Sequence, residues 1–243
     1  KLYSDAFKVW KRIASSSETV VPQRMSGYMD NLIRAGRPAE AFEAWSDLRN
    51  RGLIKATYTD SKASLLVNGD FEEDLLNMGF DWRIIPLESA FTGSDRTTYR
   101  SARSALLVQF SGKENLEYRH VYQWVKVTPG RAYRLYGYMR AEGITADSGP
   151  RLRVRDLYDP ASLNKVSEEV TGTTRAWIPV PLEFTAGPKT ELIAVDLLRL
   201  RSRKLNSLIA GRVWLDDVSL TEVVAEPTSA SNPSSTPGRP GLP

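Results

Sequence analysis

The chain has 243 residues, 41% hydrophobic and 26% charged, an ordinary globular balance with enough apolar material to bury a core. The absence of cysteine excludes a disulfide framework, a thiolate metal site and a cysteine nucleophile, and a single histidine, His120, excludes a multi-histidine metal centre. Lys and Arg number 33 against 29 Asp and Glu, and the resulting net charge of +4 permits a polyanionic partner without requiring one.

From Lys1 to about Leu53, apolar residues recur with helical period: Phe7, Trp10 and Ile13, then Met25, Tyr28, Met29, Leu32 and Ile33, then Ala41, Phe42, Ala44, Trp45 and Leu48. Three helices are predicted. Pro22 suits the first turn of the second, Gly36-Arg37-Pro38 breaks the pattern, and Gly52 is placed to close the third. No apolar run approaches the roughly 18 residues of a membrane span, so no transmembrane segment is expected in this chain. The first residue is Lys within a polar stretch, the pattern of a processed piece whose export signal or anchor lies upstream.

From about Ser64 to Val223 the period becomes two. Strands are predicted over Ala105–Phe110, Val121–Val127, Tyr133–Met139, Leu152–Leu157, Trp177–Phe184, Leu192–Leu200 and Val213–Leu220, separated by turns such as Thr128-Pro129-Gly130 and Ala186-Gly187-Pro188. Many strands with no helical pattern between them predict a mainly β chain, an antiparallel β-sandwich behind a small α-helical segment. The last residues are almost wholly Pro, Ser, Thr, Gly, Asn and Ala, which cannot bury a core. The predicted organisation is therefore a helical segment at 1–63, a sandwich at 64–223 and a disordered tail at 224–243.

Alternation on the strand before the Thr128-Pro129-Gly130 turn sends Gln123, Val125 and Val127 to one face and His120, Tyr122, Trp124 and Lys126 to the other. After the turn, Tyr133, Leu135, Gly137 and Met139 share a face opposite Arg134, Tyr136, Tyr138 and Arg140. The two strands are predicted to form a central hairpin, and if the first sets are the core, the outer sides of these neighbouring strands form one surface with Tyr122, Trp124, Tyr136 and Tyr138 as stacking platforms and His120 and Arg140 as polar contacts. Arg151, Arg153 and Arg155 alternate with Leu152 and Val154 and extend such a face with charge suited to an acidic or sulfated glycan. Aromatic rings stack on the C–H faces of sugars while polar groups fix the hydroxyls. The competing reading is that the helices cover this face. Trp82 and Trp177 are expected in the sandwich core, and His120 is expected to be a surface or hydrogen-bonding group.

Two resemblances add to this. Leu32 to Ala41, followed by Trp45 and Leu48, resembles one tetratricopeptide-type unit; such units bury their faces by stacking, so either other repeats precede this one or the hairpin docks on the β region after it. Leu66-Val67-Asn68-Gly69-Asp70-Phe71-Glu72, Gly79-Phe80-Asp81-Trp82, Ser101–Phe110, Gln123–Tyr133 and Trp214–Leu220, in that order, resemble the jelly-roll carbohydrate-binding modules of the family 4, 9 and 22 type and their galactose-binding-like relatives. That resemblance implies a jelly-roll topology with a hairpin at 123–133, and non-catalytic binding of a polysaccharide or oligosaccharide. It also implies a structural calcium ion beside the opening and closing strands, with Asn68, Asp70, Glu72 and Asp216 as ligands. Asp216, in phase with Trp214, Val218 and Leu220, is expected to point inward. The alternative without an ion has Asp216 or Asp217 accepting backbone or Arg hydrogen bonds.

No acid pair in a recognisable motif, no phosphate-binding glycine pattern and no nucleophile elbow is present, so an enzyme is not expected. Nucleic acid is not expected as a partner, given the small charge excess. The alternative function is a structural or assembly module of a repeat-containing envelope or polysaccharide-handling protein, whose partners are other repeats or a protein scaffold. The periplasmic or extracellular side of a cell envelope is the expected location.

Overall fold

The computed structural model describes residues 2–14, 20–58, 64–205 and 207–223. The predicted tail at 224–243 lies outside them, as does the side chain of Ile13. Three helices, α1 (Leu2–Ala14), α2 (Ser26–Arg34) and α3 (Pro38–Asn50), precede ten strands. Pro22 opens a short 3-10 turn leading into α2, and Gly52, at φ +66°, ends α3 in the left-handed region that glycine enters without a steric penalty. Among the described residues no helix is long and apolar enough to cross a membrane.

The strands are β1 (Arg83–Ile84), β2 (Ala90–Asp95), β3 (Ala105–Ser111), β4 (Tyr118–Lys126), β5 (Ala132–Glu142), β6 (Arg151–Asp156), β7 (Asn164–Val166), β8 (Ile178–Thr185), β9 (Leu192–Arg199) and β10 (Ala210–Glu222). They form two antiparallel five-stranded sheets, ordered β1-β4-β9-β6-β7 and β2-β3-β10-β5-β8, a mainly β sandwich of jelly-roll type. The core lies between them, with Val121, Val125, Leu152, Val154 and Val195 from one sheet against Leu106, Val108, Leu135, Met139 and Leu215 from the other. Trp82 closes one end against Phe71, with ring centres 5.2 Å apart. Trp177, by contrast, is half-buried and stands outside the core, one residue before β8 begins.

The predicted parity holds on both strands: Val121, Gln123 and Val125 on β4, and Tyr133, Leu135 and Met139 on β5, are buried. The predicted hairpin does not form. β4 pairs with β1 and β9, and β5 with β10 and β8, so the turn at 128–131 carries the chain from one sheet to the other. Tyr122 and Trp124 therefore occupy the opposite outer face from Tyr136, Tyr138 and Arg140.

The predicted opening strand is irregular, with positive φ at Asn68 and Phe71. It lies beside β10 through Leu65 N–H to Leu220 C=O (2.7 Å) and Val218 N–H to Gly69 C=O (2.8 Å). The buried Gln123 amide pins it to β4 by accepting from Val67 N–H and donating to Val67 C=O. The helices close a second apolar cluster in which Met29, Leu32, Trp45 and Leu48 meet Val67, Phe80 and Leu192 of the sandwich region. The hairpin thus docks on the sandwich region, and its apolar face is covered without a neighbouring repeat.

Candidate functional site

On the outer face of the β1-β4-β9-β6-β7 sheet, register sets two rows of side chains across the strands. One row runs Arg83, Tyr122, Asp196, Arg153 and Val166; the next runs Trp124, Ala194, Arg155 and Asn164. With strands about 4.8 Å apart, β4 and β6 stand roughly 10 Å from each other across β9. The small Ala194 makes the floor between Trp124 and Arg155. The result is a groove of about 380 Å³ whose lining includes His120, Tyr122 and Trp124 on one side, Arg153 and Arg155 on the other, and Asp196 below.

Asp196 is 1% exposed. Its Oδ1 accepts from Arg153 Nε at 2.6 Å, Arg155 Nε stands 3.4 Å from Oδ2, and Oδ2 has no hydrogen-bond partner. Burial pushes this carboxyl up, against the pull of Arg153 and Arg155. His120 is half-buried, its Nδ1 accepting from Arg119 N–H at 3.3 Å, and burial together with Arg119 lowers its pKa, leaving the ring neutral near pH 7. Arg151 is on this face, in phase with Arg153 and Arg155, but it pairs with Glu169 and does not line the groove.

At the helix end of the groove, Arg83 lies over the Trp124 ring, 4.2 Å from its centre, and is held there by Asp30 of α2 at 2.6 Å. Trp124 also borders a second cavity of about 280 Å³ with Phe42 of α3, Tyr58 and Phe80. The helices therefore cover one end of the sheet and leave the Tyr122–Arg153 end open. Sequence reasoning missed Asp196, Arg83 and Asp30, because their meaning comes from register and docking rather than from a motif.

The opposite face is organised differently. Arg100 lies over the Tyr138 ring at 3.5 Å and is paired with Asp217; Arg140 and Arg212 flank Trp214, whose Nε1–H donates to Asp95 at 2.7 Å. Tyr136 touches Tyr138 edge to face. Asp216 is on this side and not in the core, contrary to the predicted phase. Asp217, at φ +48°, forms a bulge, so Trp214 and Asp216 face outward while Val213, Leu215, Val218 and Leu220 all face the interior. The buried Asp216 carboxylate accepts from the backbone N–H groups of Arg100, Ser101 and Asp217, at 2.8, 3.3 and 2.8 Å, and so fastens the loop before β3 onto the sheet.

The four residues implied as calcium ligands have other engagements. Glu72 accepts from Arg103 N–H, Ser104 N–H and Arg103 Nε, and Asn68 exchanges two hydrogen bonds with the Glu73 backbone. The carbonyls of Asn68 and Gly69 accept from Phe71 and Val218. Asp70 is raised by burial, with Glu72 and Asp217 adding repulsion. Among the described residues no group of three or more His, Cys, Asp or Glu side chains is arranged to hold a metal ion. Glu72 and Asp216 thus accept from N–H groups, and Asn68 is taken up by the Glu73 backbone.

No protein-family model matches the chain. No curated protein matches it either. Among solved structures it is similar to carbohydrate-binding modules. A family 4 module shows a TM-score of 0.44 and 16% identity, over 64% of this chain and 98% of that one. A family 16 module gives 0.44 and 18%, over 65% and 99%. A family 61 module in complex with β-1,4-galactotriose gives 0.43 and 16%, over 66% and 99%.

Proposed function

We propose that this protein binds a glycan without chemically altering it, in the groove between β4 and β6. The observation that carries this reading is the row Tyr122, Asp196, Arg153, where an aromatic side chain, a buried carboxylate and a guanidinium anchored through its Nε border one groove. Tyr122 and Trp124 offer ring faces to the C–H side of a sugar, the two arginines donate to its hydroxyls, and Asp196 beneath them holds Arg153 in place.

A glycan array probed with the wild-type chain, Tyr122→Ala and Trp124→Ala tests it. The expected result is one coherent class of signals, lost in both variants while circular dichroism shows Tyr122→Ala to be folded. An empty array with folded wild-type protein defeats the reading and leaves an assembly role, for which the helices docked over Leu192 and Trp124 provide the supporting observation.

A further inference from the structure

We infer that the glycan taken by this groove is anionic, with carboxylate or sulfate groups docking on Arg153 and Arg155; this rests on the glycan-binding reading above. Positive charge in the groove exceeds the acid available to match it. Elsewhere several arginines of the sheets and their loops have a carboxylate of their own, Arg83 with Asp30, Arg100 with Asp217, Arg151 with Glu169, Arg134 with Glu183, while the buried Arg199 is satisfied by carbonyl oxygens and Asn115. In the groove, Arg153 and Arg155 share the single carboxylate of Asp196, and Arg119 on the rim adds a third cation.

The two shared arginines are not solvated surface groups, since their side chains are 12% and 28% exposed. Arg153 is anchored through Nε, which leaves its terminal N–H pair as a fixed fork, and Arg155 reaches Asp196 at a distance beyond a good hydrogen bond. A partly buried guanidinium without its own counter-charge is destabilising until an anion arrives, and the fork geometry matches the two oxygens of a carboxylate or sulfate. A neutral sugar would satisfy N–H groups and leave the surplus charge desolvated beneath it. Asp196 sets the orientation: it repels an anionic group placed over β9, so the charged substituent goes toward β6.

Calorimetry on the full chain with matched oligosaccharide pairs tests this, using an oligogalacturonide against its methyl ester and a sulfated galactan against the desulfated form. The charged member of at least one pair should bind about tenfold tighter, with the advantage shrinking as salt is raised from about 0.05 to about 0.5 M. Which pair responds identifies carboxylate or sulfate as the recognised group. Arg119→Gln, at an exposed position, should reduce that advantage while leaving the neutral member unchanged, and Arg155→Gln should weaken the charged member more than the neutral one. Equal or tighter binding of the neutral members overturns the anionic inference and leaves glycan binding standing. Silence from every pair, with the protein folded, overturns both.

Discussion

On the face formed by β10 and β5, rings and arginines engage one another: Arg100 lies over Tyr138 and pairs with Asp217, Arg140 and Arg212 flank Trp214, and Tyr136 packs on Tyr138. Across the sandwich, on β4, β9 and β6, the same residue types leave two guanidinium groups on one acid, with one carboxylate oxygen lacking a hydrogen bond. Aromatic and cationic composition thus does not distinguish a binding surface from a folded-down one. The balance of partners does: a face whose polar groups satisfy one another is structure, and a face left in deficit has capacity for a ligand.

The largest expected effect lies on the satisfied face. Asp216→Ala strands three backbone N–H groups and should lower stability by about 3 kcal/mol in denaturant unfolding, with affinity for any array ligand unchanged. Loss of glycan binding without loss of stability would reverse the assignment of the two faces.

The same residue gives a pH test. Burial pushes the Asp216 carboxyl up to about 6 from an ordinary 3.8, against the N–H groups of Arg100, Asp217 and Ser101. The native state then holds a proton that the unfolded chain has already lost, so the stability this brings is complete below about pH 4 and disappears as pH rises through about 6. The stability difference between wild type and Asp216→Asn should fall by roughly 2 kcal/mol between about pH 4 and about pH 7. A flat difference would show that its N–H partners outweigh burial.

The two tyrosines allow a paired comparison. Tyr122→Ala should weaken glycan binding by about tenfold, whereas Tyr138→Ala should leave it within about twofold, both read by calorimetry. Equal losses would mean that the ligand reaches both faces. The smallest effect belongs to Asp30→Asn, which loosens Arg83 from Trp124 and should change affinity by about threefold with a shift in tryptophan emission. An unchanged spectrum would disconnect the helices from the groove.

The inward and outward sides of β4 and β5 were legible because Val121, Val125, Leu135 and Met139 repeat with period two. The partners of those strands were not. A period of two is the same in either sheet, and Thr128-Pro129-Gly130 serves a crossing between layers as well as a hairpin. The position of Asp216 was hidden for a related reason: Asp217 tolerates the left-handed region, and one bulged residue reverses the phase of everything before it. Asp196 sits within an apolar run, Leu192–Arg199, buried on both sides, where alternation carries no signal. Short β1 and β7, of two and three residues, fall below any periodic pattern.

The docking of α2 and α3 has a practical consequence for anyone cutting this protein into pieces. Residues 64–223 expressed by themselves would present Val67, Phe80 and Leu192 to water and leave Arg83, the guanidinium over Trp124, without Asp30. Such a fragment should self-associate, and a weak or absent sugar signal from it would reflect the missing helices and say little about the intact chain.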